Sequence, residues 1–132
     1  CIRDRNGSIL TPSLNPSTMS EPESLSATEL SLRLERGEPI QLVDVREDRE
    51  LELARLPGAV VHLPLSRSAE WIPRLPDLLQ REGEVVVLCH AGVRSWHFAC
   101  WLLQEQGFER VWNLRGGIDA WSVEVDREVP RY

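Results

Sequence analysis

Cys89 ends an apolar β-type run, Val85–Leu88, and opens a short glycine-containing loop, HAGVR, before the helical pattern SWHFACWLLQEQ. The order strand, loop, helix is one way to make a thiol reactive. The strand fixes where the sulfur sits, Gly92 lets the backbone curl, and loop amides can converge on one atom. A helix from about Ser95 then turns the positive end of its dipole toward the same point. A free cysteine titrates near ~8.5, and a helix N-terminus or a neighbouring cation can bring it down to roughly 3.5–7.5. The chemistry these residues suggest is nucleophilic attack by sulfur. It requires Cys89 to be solvent-reachable and cupped by main-chain hydrogens.

Asp44 and Arg46 follow the apolar run IQLVDV, and Gly116-Gly117 follows the run RVWN. These positions share an edge with Cys89 if the chain folds as alternating strands and helices. Each strand segment is continuously apolar, as expected of a parallel sheet covered on both faces. In such sheets ligands bind beyond the carboxyl ends of strands, where Asp44, Arg46 and Cys89 all fall. Helices are expected over about 27–36, opened by the capping box Ser26-Ala27-Thr28-Glu29, over 47–55, and from the cysteine loop to about Gln106. A last helix contains Ile118, Ala120 and Trp121. Strands are expected over 40–45, 59–63, 85–88 and 110–113. Residues 66–82 hold short helices broken at Pro73 and Pro76.

The 132 residues suffice for one domain, with 42% hydrophobic and 27% charged residues. A net charge of −6 with no lysine argues against a nucleic-acid binder. No apolar run approaches the ~20 residues of a membrane span. Three cysteines, Cys1, Cys89 and Cys100, without C-x2-C spacing, speak against a disulfide scaffold and a zinc site, and no cofactor or metal is expected. A reducing, cytoplasmic setting fits that usage. Residues 1–25 are rich in Ser, Pro, Asn and Thr and read as a disordered tail, with the folded domain at 26–132. Met19, the sole methionine, is read as the true start, so that residues 1–18 are vector-derived or an over-extended start. A short transit-like leader is the rival reading.

The blocks DVREDRELELARLPGAVVHLPL, VVVLCHAGVRS, WLLQEQGF and NLRGGIDAW, in that order over about residues 26–122, resemble a single-domain rhodanese, a sulfurtransferase. The resemblance implies an α/β, three-layer domain with a mostly parallel sheet of about five strands and helices on both faces. It implies that Cys89 takes the sulfane sulfur of thiosulfate or a similar small anionic donor, becomes a persulfide, and passes the sulfur to cyanide, a thiol or a protein. The loop His90, Ala91, Gly92, Val93, Arg94 with Ser95 corresponds to the cradle of backbone N–H groups. Asp44 and Arg46 match the pair bracing the end of the first core strand, and Gly116 and Gly117 the glycine pair near the site. A monomer or weak dimer is expected. Two positions depart from the family: Arg55 precedes the Leu56-Pro57-Gly58-Ala59 turn where many members have histidine, and His90 stands where many have arginine.

Other readings bear on the same residues. Arg94 either holds the oxyanion end of a donor or pairs with an acid such as Asp44 or Asp119. His90 either tunes the thiolate or is solvated. His62, His97, Cys100 and the five tryptophans are read as packing, and Glu47–Glu52 as a solvated helix face. A non-catalytic binding or sulfur-relay module is one alternative. A cysteine phosphatase or arsenate reductase is another, but those use five residues between cysteine and arginine, and here four intervene.

Overall fold

The computed structural model describes residues 21–132. Readings that fall on residues 1–20, including Cys1 and the start at Met19, lie outside them. In chain order the elements are β1 (Glu23–Leu25), α1 (Ala27–Glu35), β2 (Ile40–Asp44), α2 (Asp48–Leu53) and β3 (Val61–His62). Four short helical turns span 65–78, the last two being Ile72–Arg74 and Leu75–Leu78. Then come β4 (Glu84–Leu88), α3 (Val93–Glu105), β5 (Arg110–Leu114) and α4 (Gly117–Glu124). The five strands form one sheet in the order β1-β5-β4-β2-β3, every pair parallel.

Successive strand residues face opposite sides, so the apolar runs feed two cores. Val85, Val87 and Cys89 lie on one side with Val43, Val45 and Val111, packed by Phe98, Ala99 and Leu102 of α3 and by Trp71 and Leu75. Val86, Leu88, Leu42 and Leu114 lie on the other, covered by Leu30 of α1 and by Ile118 and Trp121 of α4. This is the α/β architecture with helices on both faces that the continuous apolar strands predict.

The folded part begins earlier than expected. The tail assigned to residues 1–25 includes β1, which pairs with β5 in the register Leu25↔Leu114. Leu25 is buried in the second core and its carbonyl accepts from the Arg115 amide. That pairing is non-local, so a Ser- and Pro-rich stretch gives no periodic sign of it. Ser26 does cap α1: its hydroxyl accepts from the Glu29 amide at 3.0 Å, and the Glu29 carboxylate accepts from the Ser26 amide at 2.8 Å. Pro73 and Pro76 each sit in the first turn of a new helical segment, where a missing N–H costs little.

Candidate active site

The sheet's parity carries the Cys89 side chain onto the α3 side, and Gly92 then reverses the chain with φ +103°. That left-handed conformation is cheap only for glycine. Its result is a tight loop whose donors meet at one sulfur. The Gly92 N–H points to Cys89 Sγ at 3.1 Å, the Ser95 N–H at 3.4 Å, and the Ser95 hydroxyl lies at 3.3 Å. The 13-residue helix α3 starts at Val93 and presents its N-terminal end there.

Accessibility departs from expectation. Cys89 is 1% exposed and belongs to the first core. The loop winds so closely that the main-chain hydrogens aimed at the sulfur also help to cover it. The anion cradle is present, while the open approach is absent in this conformation.

A second layer holds the loop from behind. The Ile118 and Asp119 amides, at the start of α4, donate to the carbonyls of Cys89 (2.9 Å) and His90 (3.1 Å). Gly117, at φ +62°, makes this approach feasible: a Cβ there would lie 2.4 Å from both carbonyl oxygens. Asn113, buried at the end of β5, accepts from the Ser95 hydroxyl through Oδ1 and donates to the Gly92 carbonyl through Nδ2 at 3.0 Å. The hydroxyl has one proton, so it serves either Asn113 or the sulfur. A charged sulfur would draw it across.

Asp44 and Arg46 form a buried pair. Arg46 Nε and Nη2 donate to the Asp44 carboxylate at 2.8–3.1 Å, and further donors reach the Ala54 carbonyl (2.8 Å) and the Tyr132 hydroxyl (2.9 Å). Burial alone would lower the Arg46 pKa, but the bonds to Asp44 and Tyr132 outweigh it and the net shift is upward. Tyr132 in turn stacks on His90, with ring centroids 4.2 Å apart. His62 Nε2–H donates to the Arg46 carbonyl at 2.7 Å. His62 also borders a cleft of about 480 Å³ with Asp44, Asp48 and Arg55, which the cysteine loop does not line.

Arg94 pairs with neither Asp44 nor Asp119. Its Nη2 lies 2.9 Å from Oε1 of Glu50, a half-buried carboxylate on α2 that sequence reasoning placed on a solvated face. Glu50 Oε2 is buried without a hydrogen-bond partner. Burial pushes the Glu50 pKa up, but the hydrogen bond and charge of Arg94, with the charge of Arg46, hold it below the ordinary range. Asn113, Glu50 and Tyr132 are the site neighbours the sequence did not single out. The one available signal was for Asn113, a lone amide closing an apolar strand beside the strand that carries the cysteine. Among the described residues no cluster of His, Cys, Asp and Glu could hold a metal ion.

A parallel sheet with a cysteine loop cradled at its carboxyl edge defines the class, and comparison with known proteins agrees. Residues 26–124 match the family model of the rhodanese-like domain, and the chain belongs to that family. It is 36% identical over 105 residues to the putative sulfurtransferase YtwF of Bacillus subtilis (strain 168), covering 80% of this chain and 95% of that protein. It is 47% identical over 92 residues to the rhodanese-like/PpiC domain-containing protein 12, chloroplastic, of Arabidopsis thaliana, covering 70% of this chain and only 30% of that protein. The crystal structure of a rhodanese-like domain protein from Staphylococcus aureus superposes with a TM-score of 0.63 at 28% identity, covering 75% of this chain and 90% of that one.

Proposed function

We propose that this domain is a sulfurtransferase that carries a sulfane sulfur as a persulfide on Cys89. The observation that carries this reading is the convergence of the Gly92 N–H, the Ser95 N–H and the Ser95 hydroxyl on Cys89 Sγ. Such donors stabilise a thiolate, and equally the persulfide anion that replaces it. With thiosulfate as donor, the Cys89 thiolate attacks the outer sulfur, an S–S bond forms, and the old S–S bond breaks to release sulfite with its electron pair. In the second step cyanide, a thiolate or a protein thiolate attacks the terminal sulfur, and the Cys89 thiolate leaves. Both steps are substitutions at sulfur that consume no oxidant and need no metal, cofactor or general base.

His90, Ala91, Gly92, Val93, Arg94 and Ser95 form the loop around the transferring atom in this reading. Asp44 and Arg46 brace the strand end beneath it, Gly117 lets α4 close on its carbonyls, and Gly116 leaves room for Ala120 in the first turn of α4. A protein acceptor is supported by Val93, an apolar residue of the cysteine loop that is 67% exposed. A cytoplasmic setting and a monomer or weak dimer belong to the same reading. No helix among the described residues is long and apolar enough to cross a membrane. Against a phosphatase, the loop arginine is engaged by Glu50 and the ring is one residue shorter than those enzymes use.

Intact-mass analysis after exposure to thiosulfate tests the proposal. The wild type gains one sulfur atom and Cys89→Ser gains none. A gain in both, or in neither, would require another assignment.

A further inference from the structure

The cysteine loop offers a negative charge plenty of N–H groups but little unspent positive charge. Arg46 is completely buried against Asp44. Arg94, whose positive charge interacts with Cys89, already spends it on Glu50 at 2.9 Å. The Glu50 side chain is only 13% exposed, and its Oε2 has no donor. A ligand that took Arg94 for itself would leave a largely buried carboxylate with no side-chain donor and only the charge of Arg46 nearby, which is already paired with Asp44. Because Arg94 is 38% exposed, the cost of breaking the pair lies between that of a surface pair and that of a fully buried one.

Thiosulfate and an organic persulfide differ in just the feature this arrangement weighs. Thiosulfate carries two negative charges, one of them on a sulfonate head that needs a cation beyond the sulfur cradle. An organic persulfide, R–S–S⁻, carries one charge, which the amides of Gly92 and Ser95 can hold, and its R group can lie against the exposed apolar side chain of Val93.

We propose that Glu50 is a specificity-determining residue that, by holding Arg94 in an ion pair, makes the Cys89 loop favour monoanionic organic persulfides over dianionic thiosulfate as sulfur donors. This rests on the sulfurtransferase reading and narrows its donor class. The transfer balances as before: the Cys89 thiolate attacks the terminal sulfur, a new S–S bond forms, and R–S⁻ leaves with the electron pair of the broken bond. Glu50 acts through Arg94 and takes no proton.

The test compares loading of Cys89 by thiosulfate and by benzyl persulfide, whose R group is apolar and uncharged, in the wild type and in Glu50→Gln. The wild type is expected to have a kcat/KM for the persulfide at least roughly tenfold above that for thiosulfate, given the cost of breaking a part-buried ion pair. In Glu50→Gln the thiosulfate value rises about tenfold, mostly through KM, as expected for a freed, partly exposed cation, while the persulfide value stays within about twofold. Glu50→Asp, which keeps the charge, retains the wild-type preference. A wild type that prefers thiosulfate would overturn the proposal whatever the variants do, as would parallel changes for both donors in Glu50→Gln.

Calorimetric binding of thiosulfate to Cys89→Ser and to Cys89→Ser/Glu50→Gln reads the same electrostatics without turnover. The double variant binds about tenfold tighter, and equal affinity would also overturn the proposal. If neither donor adds sulfur to Cys89 while the binding difference appears, the sulfurtransferase reading fails and the role of Glu50 in anion selection stands.

Discussion

The Asn113 side chain donates to the Gly92 carbonyl at 3.0 Å and accepts from the Ser95 hydroxyl, so one amide spans both ends of the turn that encloses Cys89. Asn113 sits on β5, in register with Val87 of the strand that delivers the cysteine. The loop is thus referenced to the sheet by a side chain as well as by its own backbone. Asn113→Ala removes both bonds, taking a donor from the part-buried Gly92 carbonyl and leaving the buried Ser95 hydroxyl only Cys89 Sγ as a partner, a loss of about 1–2 kcal/mol in unfolding free energy. Loading of Cys89 should slow by about tenfold or more as the cradle loosens. Chemical denaturation and intact-mass time courses measure the two effects. A stability loss with unchanged loading would mean that Asn113 holds the fold and not the loop.

Gly117 and Gly58 offer a matched pair for separating backbone strain from collision. Both have positive φ, +62° and +90°, but a Cβ at Gly58 meets nothing within 4 Å, whereas at Gly117 it would overlap the carbonyls of Cys89 and His90. Gly58→Ala should cost about 1 kcal/mol, the ordinary price of the left-handed conformation. Gly117→Ala should cost at least about 2–3 kcal/mol and slow sulfur loading, because relieving the overlap pushes the cysteine loop off the α4 amides. Thermal or urea unfolding of the two variants gives the comparison. Equal losses would show that the loop yields without effect.

Features set by local chemistry were legible in the sequence. The capping box at Ser26 and Glu29 forms with both of its bonds, since partners three residues apart need only a helical turn. The continuous apolar runs announced a parallel, doubly covered sheet, because parity then has no polar face to spare. What stayed hidden depends on contacts distant in sequence. β1 exists through pairing with β5, some ninety residues away by the register Glu23↔Trp112. Glu50 reads as one more acid in EDRELE, and only the placement of Arg94 and Arg46 makes it a site neighbour. The cover over Cys89 is likewise tertiary. A motif specifies the atoms of a cradle, and packing decides how closed it is.

Glu84 ties the sheet to α1. Its carboxylate accepts from the Arg33 guanidinium and from the Trp112 indole N–H, and these bonds, that of Arg33 first, hold its pKa below the ordinary value against the opposing effect of burial. The unfolded chain therefore takes up this proton at a higher pH than the folded one. The stabilisation is fully present above the unfolded value near ~4.3 and is lost as pH falls through the folded value. Denaturation midpoints measured from pH 7 to pH 3 should decline below about pH 4.5, in the range where the unfolded glutamate takes up its proton. Glu84→Gln should flatten that decline and lower stability at pH 7 by about 1 kcal/mol. A variant with the wild-type slope would assign the acid sensitivity to other carboxylates.

Tyr132 joins two parts of the site that have no covalent reason to move together. Its hydroxyl accepts from buried Arg46, while its ring lies on His90 of the cysteine loop. Tyr132→Phe keeps the stack and removes only the acceptor, leaving an Arg46 N–H short of a partner. The expected loss is about 1–2 kcal/mol in stability, with little change in sulfur loading. Tyr132→Ala removes the ring as well, so His90 loses its platform and the cover near Cys89 thins. Alkylation of Cys89 by iodoacetamide should then run at least about threefold faster than in Tyr132→Phe, because a cysteine that is 1% exposed reacts only when its surroundings open. Equal alkylation rates in the two variants would show that the ring anchors Arg46 without restraining the loop.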